Sequence, residues 1–272
     1  MCIRDRNKAA IMNGIDGGEL ISPTLTFEAI NQFASKTMKT NVVRVPMTKE
    51  IGIDLKTTGQ MVNSKTNMVY LCNPNNPTGV IMNPKELEVF CKETSKKSIV
   101  FVDEAYHEYV MDKQYRSMVS LVNEGYDVLI SRTASKVHGL AGLRVGYAIS
   151  TPKIIKRLNS YMNGSLNVVG LRGAIASYKD KRFQKFSIEK NNEGRTIVTD
   201  YLDKKGIEYL DSQTNFIFIK TGIDIKMFQP AMEKHKVLVG RPFPPYTDWC
   251  RLSIAKPEEM ESFNKGFNKE LG

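Results

Sequence analysis

Short apolar runs rich in branched side chains alternate with longer stretches of helical pattern between residues 19 and 149, and this alternation restricts the fold more than any other feature of the chain. The runs expected as strands are Glu19–Ser22, Asn41–Val45, Asn67–Cys72, Ser98–Asp103, Asp127–Ser131 and Arg144–Ile149. Helical patterns fall at Phe27–Met38, Pro84–Lys96 and Ser117–Glu124. Strand, helix, strand in repetition is the mark of an α/β fold with a mixed, mainly parallel sheet. Asn83, Pro84 and Glu86 give a well-marked helix start, with a capping side chain, a proline at the first helical position and an acid in the first turn. Thr151–Pro152 repeats that signal. After Lys181 the pattern changes to a long polar helix over Phe183–Lys205, strands at Asn215–Lys220, Val237–Val239 and Cys250–Ala255, and a closing helix at Pro257–Glu270. Two domains are expected: residues 1–180 with the parallel sheet, and residues 181–272 as a smaller α+β unit.

Composition removes several function classes. Of 272 residues, 41% are hydrophobic and 25% charged, enough to build a packed core under a solvated surface. No apolar run approaches the roughly 18 residues of a membrane span, and the start MCIRDRNKAA has no apolar core of a signal peptide. The four cysteines are scattered without a CxxC pair and only three histidines are present, so reduced thiols in a cytoplasmic protein are expected, with no zinc site. The net charge of +10 would suit nucleic acid or an anionic small molecule. The most compact basic run is Tyr178–Lys185; elsewhere lysines interleave with acids on helical segments, the pattern of solvated faces, and no nucleic-acid partner is expected.

The remaining signals sit where an open α/β sheet gathers ligand groups, at the carboxyl ends of strands. CNPNNPTG (Cys72–Gly79) follows one strand. VDEAY (Val102–Tyr106) puts Asp103 at the end of the next. SRTASK (Ser131–Lys136) follows a third, and Arg144 opens a fourth. Singly, these read as a tight turn, a helix cap, a solvated lysine and a surface arginine. In this order they also supply an amine for an imine, a carboxylate for a ring nitrogen, polar groups for a phenolic oxygen and cations for a phosphate, the parts that hold an aldehyde cofactor.

The motifs NPNNPTG, VDEAYHEY and SRTASKVHGLAGLRVGY, with VGRPFPP and WCRLSIAKPEEM later in the chain, resemble the class I/II aminotransferases among the fold type I pyridoxal-phosphate enzymes, and most closely the histidinol-phosphate aminotransferase branch. The resemblance covers about Gly18 to the end. It implies that pyridoxal 5'-phosphate is the cofactor and that Lys136 forms its imine and shuttles the substrate proton. It implies that Asp103 keeps the pyridine nitrogen protonated, and that Asn76 and Tyr106 hydrogen-bond the phenolic oxygen. Ser135 and Arg144 would hold the phosphate, with Thr133 adding a hydroxyl. Phe27 would stack on the ring, or else serve as a helix-face core residue. Arg251 would clamp the anionic end of the substrate, with Arg241 as a second candidate or an exposed loop arginine. His107 and His138 adjoin motif residues without being required by the pattern.

The implied partners are a small-molecule amino donor and a 2-oxo acid acceptor, with no nucleic acid and no membrane, in a homodimer. A lyase or decarboxylase on the same fold, of the threonine-phosphate decarboxylase kind, is the alternative, and an inactive fragment a third reading. Family members begin well before the segment reading GGELISP here, and nothing in MCIRDRNKAAIMNGID reproduces their phosphate-cradling loop. The resemblance therefore implies an N-terminally truncated chain that binds cofactor weakly or not at all.

Overall fold

Valine- and isoleucine-rich runs become strands because branched side chains pack well on a pleated surface, and strands covered by helices on both faces read as continuous apolar runs. The computed structural model describes residues 17–161 and 167–271. The MCIRDR start, with the rest of residues 1–16, lies outside the described residues. Six strands form one sheet: β1 (Glu19–Pro23), β2 (Val42–Val45), β3 (Thr66–Cys72), β4 (Ile99–Asp103), β5 (Val128–Thr133) and β6 (Gly146–Ile149). Their spatial order is β2-β1-β3-β4-β5-β6. Neighbours are parallel except β5 and β6, which run antiparallel. The expected α/β class with a mixed, mainly parallel sheet is what the chain forms.

Side chains alternate between faces along each strand. Leu20, Met68, Tyr70, Phe101 and Leu129 pack on one face with Ile30 and with Ile154 and Leu158 of the Pro152–Ser160 helix. Ile21, Val69, Leu71, Val100, Val102 and Val128 pack on the other, under Leu87, Phe90 and Cys91 of the Pro84–Thr94 helix. That helix starts where the sequence places it: the Asn83 side chain accepts from the amides of Lys85 (3.0 Å) and Glu86 (3.2 Å).

A second sheet pairs β7 (Phe216–Lys220) antiparallel with β8 (Trp249–Ser253). It packs with the Lys181–Lys205, Ile225–Glu233 and Pro257–Leu271 helices around Val198, Phe228, Met232, Phe263 and Phe267. The long helix is capped by Asp180, which accepts from Phe183 N at 2.9 Å, and ends at Gly206 with φ 64°. Gly194 lets it approach the chain leaving β8 closely: a Cβ there would lie 2.8 Å from the Ala255 carbonyl oxygen.

Four expectations change. Val237–Val239 is not a strand: Lys236 turns the backbone at φ 61°, and Gly240 N bonds the Arg251 carbonyl at 3.2 Å, one bond beside β8 in place of a ladder. The Phe27–Met38 pattern begins as a helix only at Ala29 and widens into a π-turn at Phe33–Thr37. The run opening at Arg144 becomes a strand only at Gly146, because Arg144 itself is left-handed at φ 57°. Helices at Leu55–Met61, Val168–Lys179 and Ile225–Glu233 are additional. Glycines 59, 170 and 173 and Pro230 lower their intrinsic helix preference, and packing overrides it. Among the described residues no helix is long and apolar enough to cross a membrane.

Candidate active site

Strand register brings the first group together. Cys72, Asp103 and Ser131 stand side by side at the ends of β3, β4 and β5. Asp103 is fully buried. Tyr70, two residues before Cys72 and so on the same face, donates its hydroxyl to Asp103 Oδ2 at 3.0 Å, and Ser131 Oγ donates to Oδ1 at 2.7 Å. Hydroxyl donors on both oxygens satisfy a carboxylate that burial would otherwise penalise, and they fix its direction.

The second group joins the two sheets. Past β4 the backbone turns at Tyr106, which is buried with its ring edge-on to Phe216 of β7 at 5.1 Å. Asn76, buried in the loop after β3, donates from Nδ2 to the Tyr106 hydroxyl at 3.1 Å. Its Oδ1 accepts from an Arg251 terminal nitrogen at 2.9 Å. Arg251 comes from β8 and lies 5.1 Å from the Phe216 ring and 5.6 Å from that of Phe243. Lys136 Nζ sits 4.7 Å from the centre of the Tyr106 ring, within cation–π range. Burial pulls the Arg251 pKa below its usual value and nearby Arg241 acts in the same direction, while Tyr106 opposes them. Arg251 Nε is buried with no hydrogen-bond partner among the described residues. A guanidinium in this state has a donor to spare for an anion.

The other expected residues are placed less directly. Thr133, at the end of β5, donates its hydroxyl to Ser135 Oγ at 2.9 Å and accepts the Ser135 amide at 3.1 Å, so two hydroxyls cluster beside the Lys136 turn. Arg144 is exposed, and its guanidinium donates to the Ala141 carbonyl at 2.5 Å. Among the described residues it makes no hydrogen bond with Thr133 or Ser135; the left-handed backbone folds the arginine back over its own turn. Phe27 is half-buried before the first helix, against the cluster that contains Tyr70. Arg241 is exposed, with its guanidinium 4.2 Å from the Phe243 ring, and is linked to Arg251 through that shared ring.

Sequence reasoning missed Tyr70, Ser131, Phe216 and Phe243. The first two were within reach, since period-two alternation and parallel register put them beside Asp103. The two phenylalanines carry no local signal. Among the described residues no cluster of three or more His, Cys, Asp or Glu is arranged to hold a metal ion.

Residues 6–265 match the family model for aminotransferase class I and II. Histidinol-phosphate aminotransferase 2 of Hydrogenovibrio crunogenus is 33% identical over 259 residues, covering 94% of this chain and 69% of its own. Histidinol-phosphate aminotransferase of Brevibacillus brevis is 38% identical over 218 residues, covering 78% of this chain and 57% of its own. The chain thus spans between 57% and 69% of these two relatives' lengths. Among solved structures, a protein of Erwinia carotovora atroseptica assigned provisionally to the histidinol-phosphate aminotransferases superposes with a TM-score of 0.92 at 32% identity, over 98% of this chain and 79% of that one. The Sinorhizobium meliloti histidinol-phosphate aminotransferase in complex with pyridoxal-5'-phosphate shares the fold, with a TM-score of 0.83 at 23% identity over 95% of this chain and 74% of its own.

Proposed function

The chain belongs to the class I and II aminotransferases, and from that premise we propose that it carries the catalytic core of a pyridoxal-phosphate-dependent aminotransferase acting on an amino donor with an anionic tail, of the histidinol-phosphate kind, with a 2-oxo acid as acceptor. The observation that carries this reading is the hydrogen-bonded path from Arg251 through Asn76 to Tyr106, with the Lys136 amine over the Tyr106 ring. It sets a cation suited to a substrate anion next to the groups suited to a phenolic oxygen, at one lysine.

The donor set fits the cofactor. Asp103, buried and held by two hydroxyls, suits a protonated ring nitrogen. Asn76 and Tyr106 suit the phenolic oxygen, and the Thr133 and Ser135 hydroxyls suit a phosphate, with Arg144 close in sequence. Phe27 packs against the core cluster that contains Tyr70 and suits the ring's flat side. When bound, the cofactor supplies an electron sink for the substrate's α-carbon. The protein's residues do the rest. Lys136 would hold the cofactor by its amine and, once the donor's amine has displaced it, would move a proton at the α-carbon. Asp103 keeps a proton on the ring nitrogen. Arg251, with its spare Nε donor, orients the substrate's anionic end, and Arg241 adds positive charge at the mouth.

In the same reading, residues 1–180 form the cofactor-binding domain and residues 181–272 the small domain, in a cytoplasmic homodimer. The names of the matched relatives support the choice of donor. The test is incubation with pyridoxal phosphate, histidinol phosphate and 2-oxoglutarate. Glutamate formation is expected. No glutamate in this mixture, with carbon dioxide released instead from a phosphorylated amino acid that keeps its α-carboxyl group, would support a decarboxylase.

A further inference from the structure

The His138 side chain is 1% exposed, although it follows Lys136 by only two residues. A buried imidazole requires polar partners. Nδ1 lies 3.0 Å from Ser177 Oγ, and the ring lies 4.1 Å from that of Tyr178. Nε2 faces Glu108 Oε1 at 3.5 Å, within ion-pair reach and longer than a well-formed hydrogen bond. Glu108 belongs to the short 3-10 turn His107–Tyr109, directly after Tyr106, and its other oxygen lies 3.1 Å from His107 Nδ1. Burial acts to raise the Glu108 pKa; the neighbouring His107 and His138 outweigh it and hold the carboxyl down at about 2. His138 therefore faces an anion. With an N–H on Nε2 directed at the carboxylate, Nδ1 can accept from the Ser177 hydroxyl.

Three segments meet at this ring. Gly139 N donates to the Lys136 carbonyl at 2.9 Å and Leu140 N to the Ala134 carbonyl at 2.9 Å, so His138 is the third residue of a turn that Lys136 begins. Glu108 sits two residues beyond Tyr106, whose ring lies beneath the Lys136 amine. Ser177 and Tyr178 belong to the Val168–Lys179 helix. The groups facing His138 are Glu108 from the turn and Ser177 and Tyr178 from the helix, with Tyr147 edge-on behind Tyr178 at 5.7 Å and Arg132 acting on Tyr178 from further off. Those facing Glu108 are His107, His138 and, through charge, Tyr109, Tyr115 and Tyr178.

We propose that His138 is a positioning residue which, through Glu108 and Ser177, fixes the angle at which the Lys136 turn presents its amine to Tyr106. The proposal rests on the reading of Lys136 as the cofactor attachment point. A phenylalanine would fill the same space and leave Glu108 with His107 alone. A glutamine amide can restore both contacts.

The experiment uses the full chain as wild type, His138→Phe, His138→Gln and Glu108→Gln. Two quantities are read: the pH midpoint of visible absorbance with pyridoxal phosphate bound, and hydrogen exchange of the Gly139 amide without cofactor. His138→Phe and Glu108→Gln should each move the midpoint by about half a pH unit or more and speed Gly139 exchange about tenfold. His138→Gln should stay near wild type in both. An unmoved midpoint or unchanged Gly139 exchange in His138→Phe overturns the proposal, as does a His138→Gln variant displaced as far as His138→Phe. If wild type develops no visible absorbance even in large excess of pyridoxal phosphate, the functional reading fails, and Gly139 exchange alone then decides whether the His138 bridge holds the turn.

Discussion

Arg251 and Asn76 are 175 residues apart in sequence and share a 2.9 Å hydrogen bond, the contact through which β8 of the small sheet meets the loop at the end of β3. Asn76 is the middle of a relay, accepting from Arg251 with its carbonyl and donating to Tyr106 with its amide. The Arg251 guanidinium is therefore two hydrogen bonds from the phenol of Tyr106.

Arg251→Lys should raise KM for an anionic amino donor about 10- to 100-fold, with a smaller change in kcat, because a single ammonium cannot reproduce the planar guanidinium fork. Steady-state kinetics with histidinol phosphate measures this. A variant that keeps the parental KM would show that Arg251 does not hold the donor.

Tyr70→Phe removes one of the two hydroxyls on the buried Asp103 carboxyl. A hydrogen bond to a charged buried group contributes on the order of 1.5–3 kcal/mol. Urea unfolding should show a loss of that size, with Ser131→Ala behaving alike. A loss under about 0.5 kcal/mol in both variants would mean that neither hydroxyl is needed to satisfy the carboxyl.

Gly194→Ala places a methyl group 2.8 Å from the Ala255 carbonyl and 3.0 Å from Ile254 Cγ2, where the long helix meets the chain leaving β8. Overpacking at a backbone contact costs about 1–3 kcal/mol, more than the helix propensity that alanine adds. A lower melting temperature is expected. A higher one would show that the helix can shift without cost.

Glu108 should contribute to acid sensitivity. Its carboxyl sits at about 2 in the folded protein against an ordinary value of 4.5, so the unfolded chain takes up the proton first. The stabilisation is complete above about 4.5 and is lost as the pH falls towards about 2. Wild type should exceed Glu108→Gln in urea midpoint at neutral pH, and the gap should close over that window. A gap independent of pH would contradict the assignment.

Much of this arrangement was legible in the sequence because it follows strand ends. Asp103, Asn76 and Lys136 each fall just at or past an apolar run, and a parallel sheet gathers such positions on one edge. The hydroxyl partners of Asp103 required the register that pairs Cys72, Asp103 and Ser131, and no single strand displays it. The edge-on packing of Tyr106 against Phe216 depends on how the two sheets meet, which leaves no local trace. Arg144 shows a different limit: nothing in the sequence reveals that its backbone is left-handed or that its guanidinium donates to the Ala141 carbonyl. Val237–Val239 has the composition of a strand without a ladder: after the turn at Lys236, the bond to β8 is made by Gly240, just past the segment.

The central claim is that Lys136, above the Tyr106 ring, is where the cofactor attaches. Loading the chain with pyridoxal phosphate, reducing with borohydride and mapping the peptides by mass spectrometry tests it directly. The account predicts one modified site, on the peptide containing Lys136, and none in Lys136→Ala. A label spread over surface lysines, or one that persists in Lys136→Ala, would contradict it.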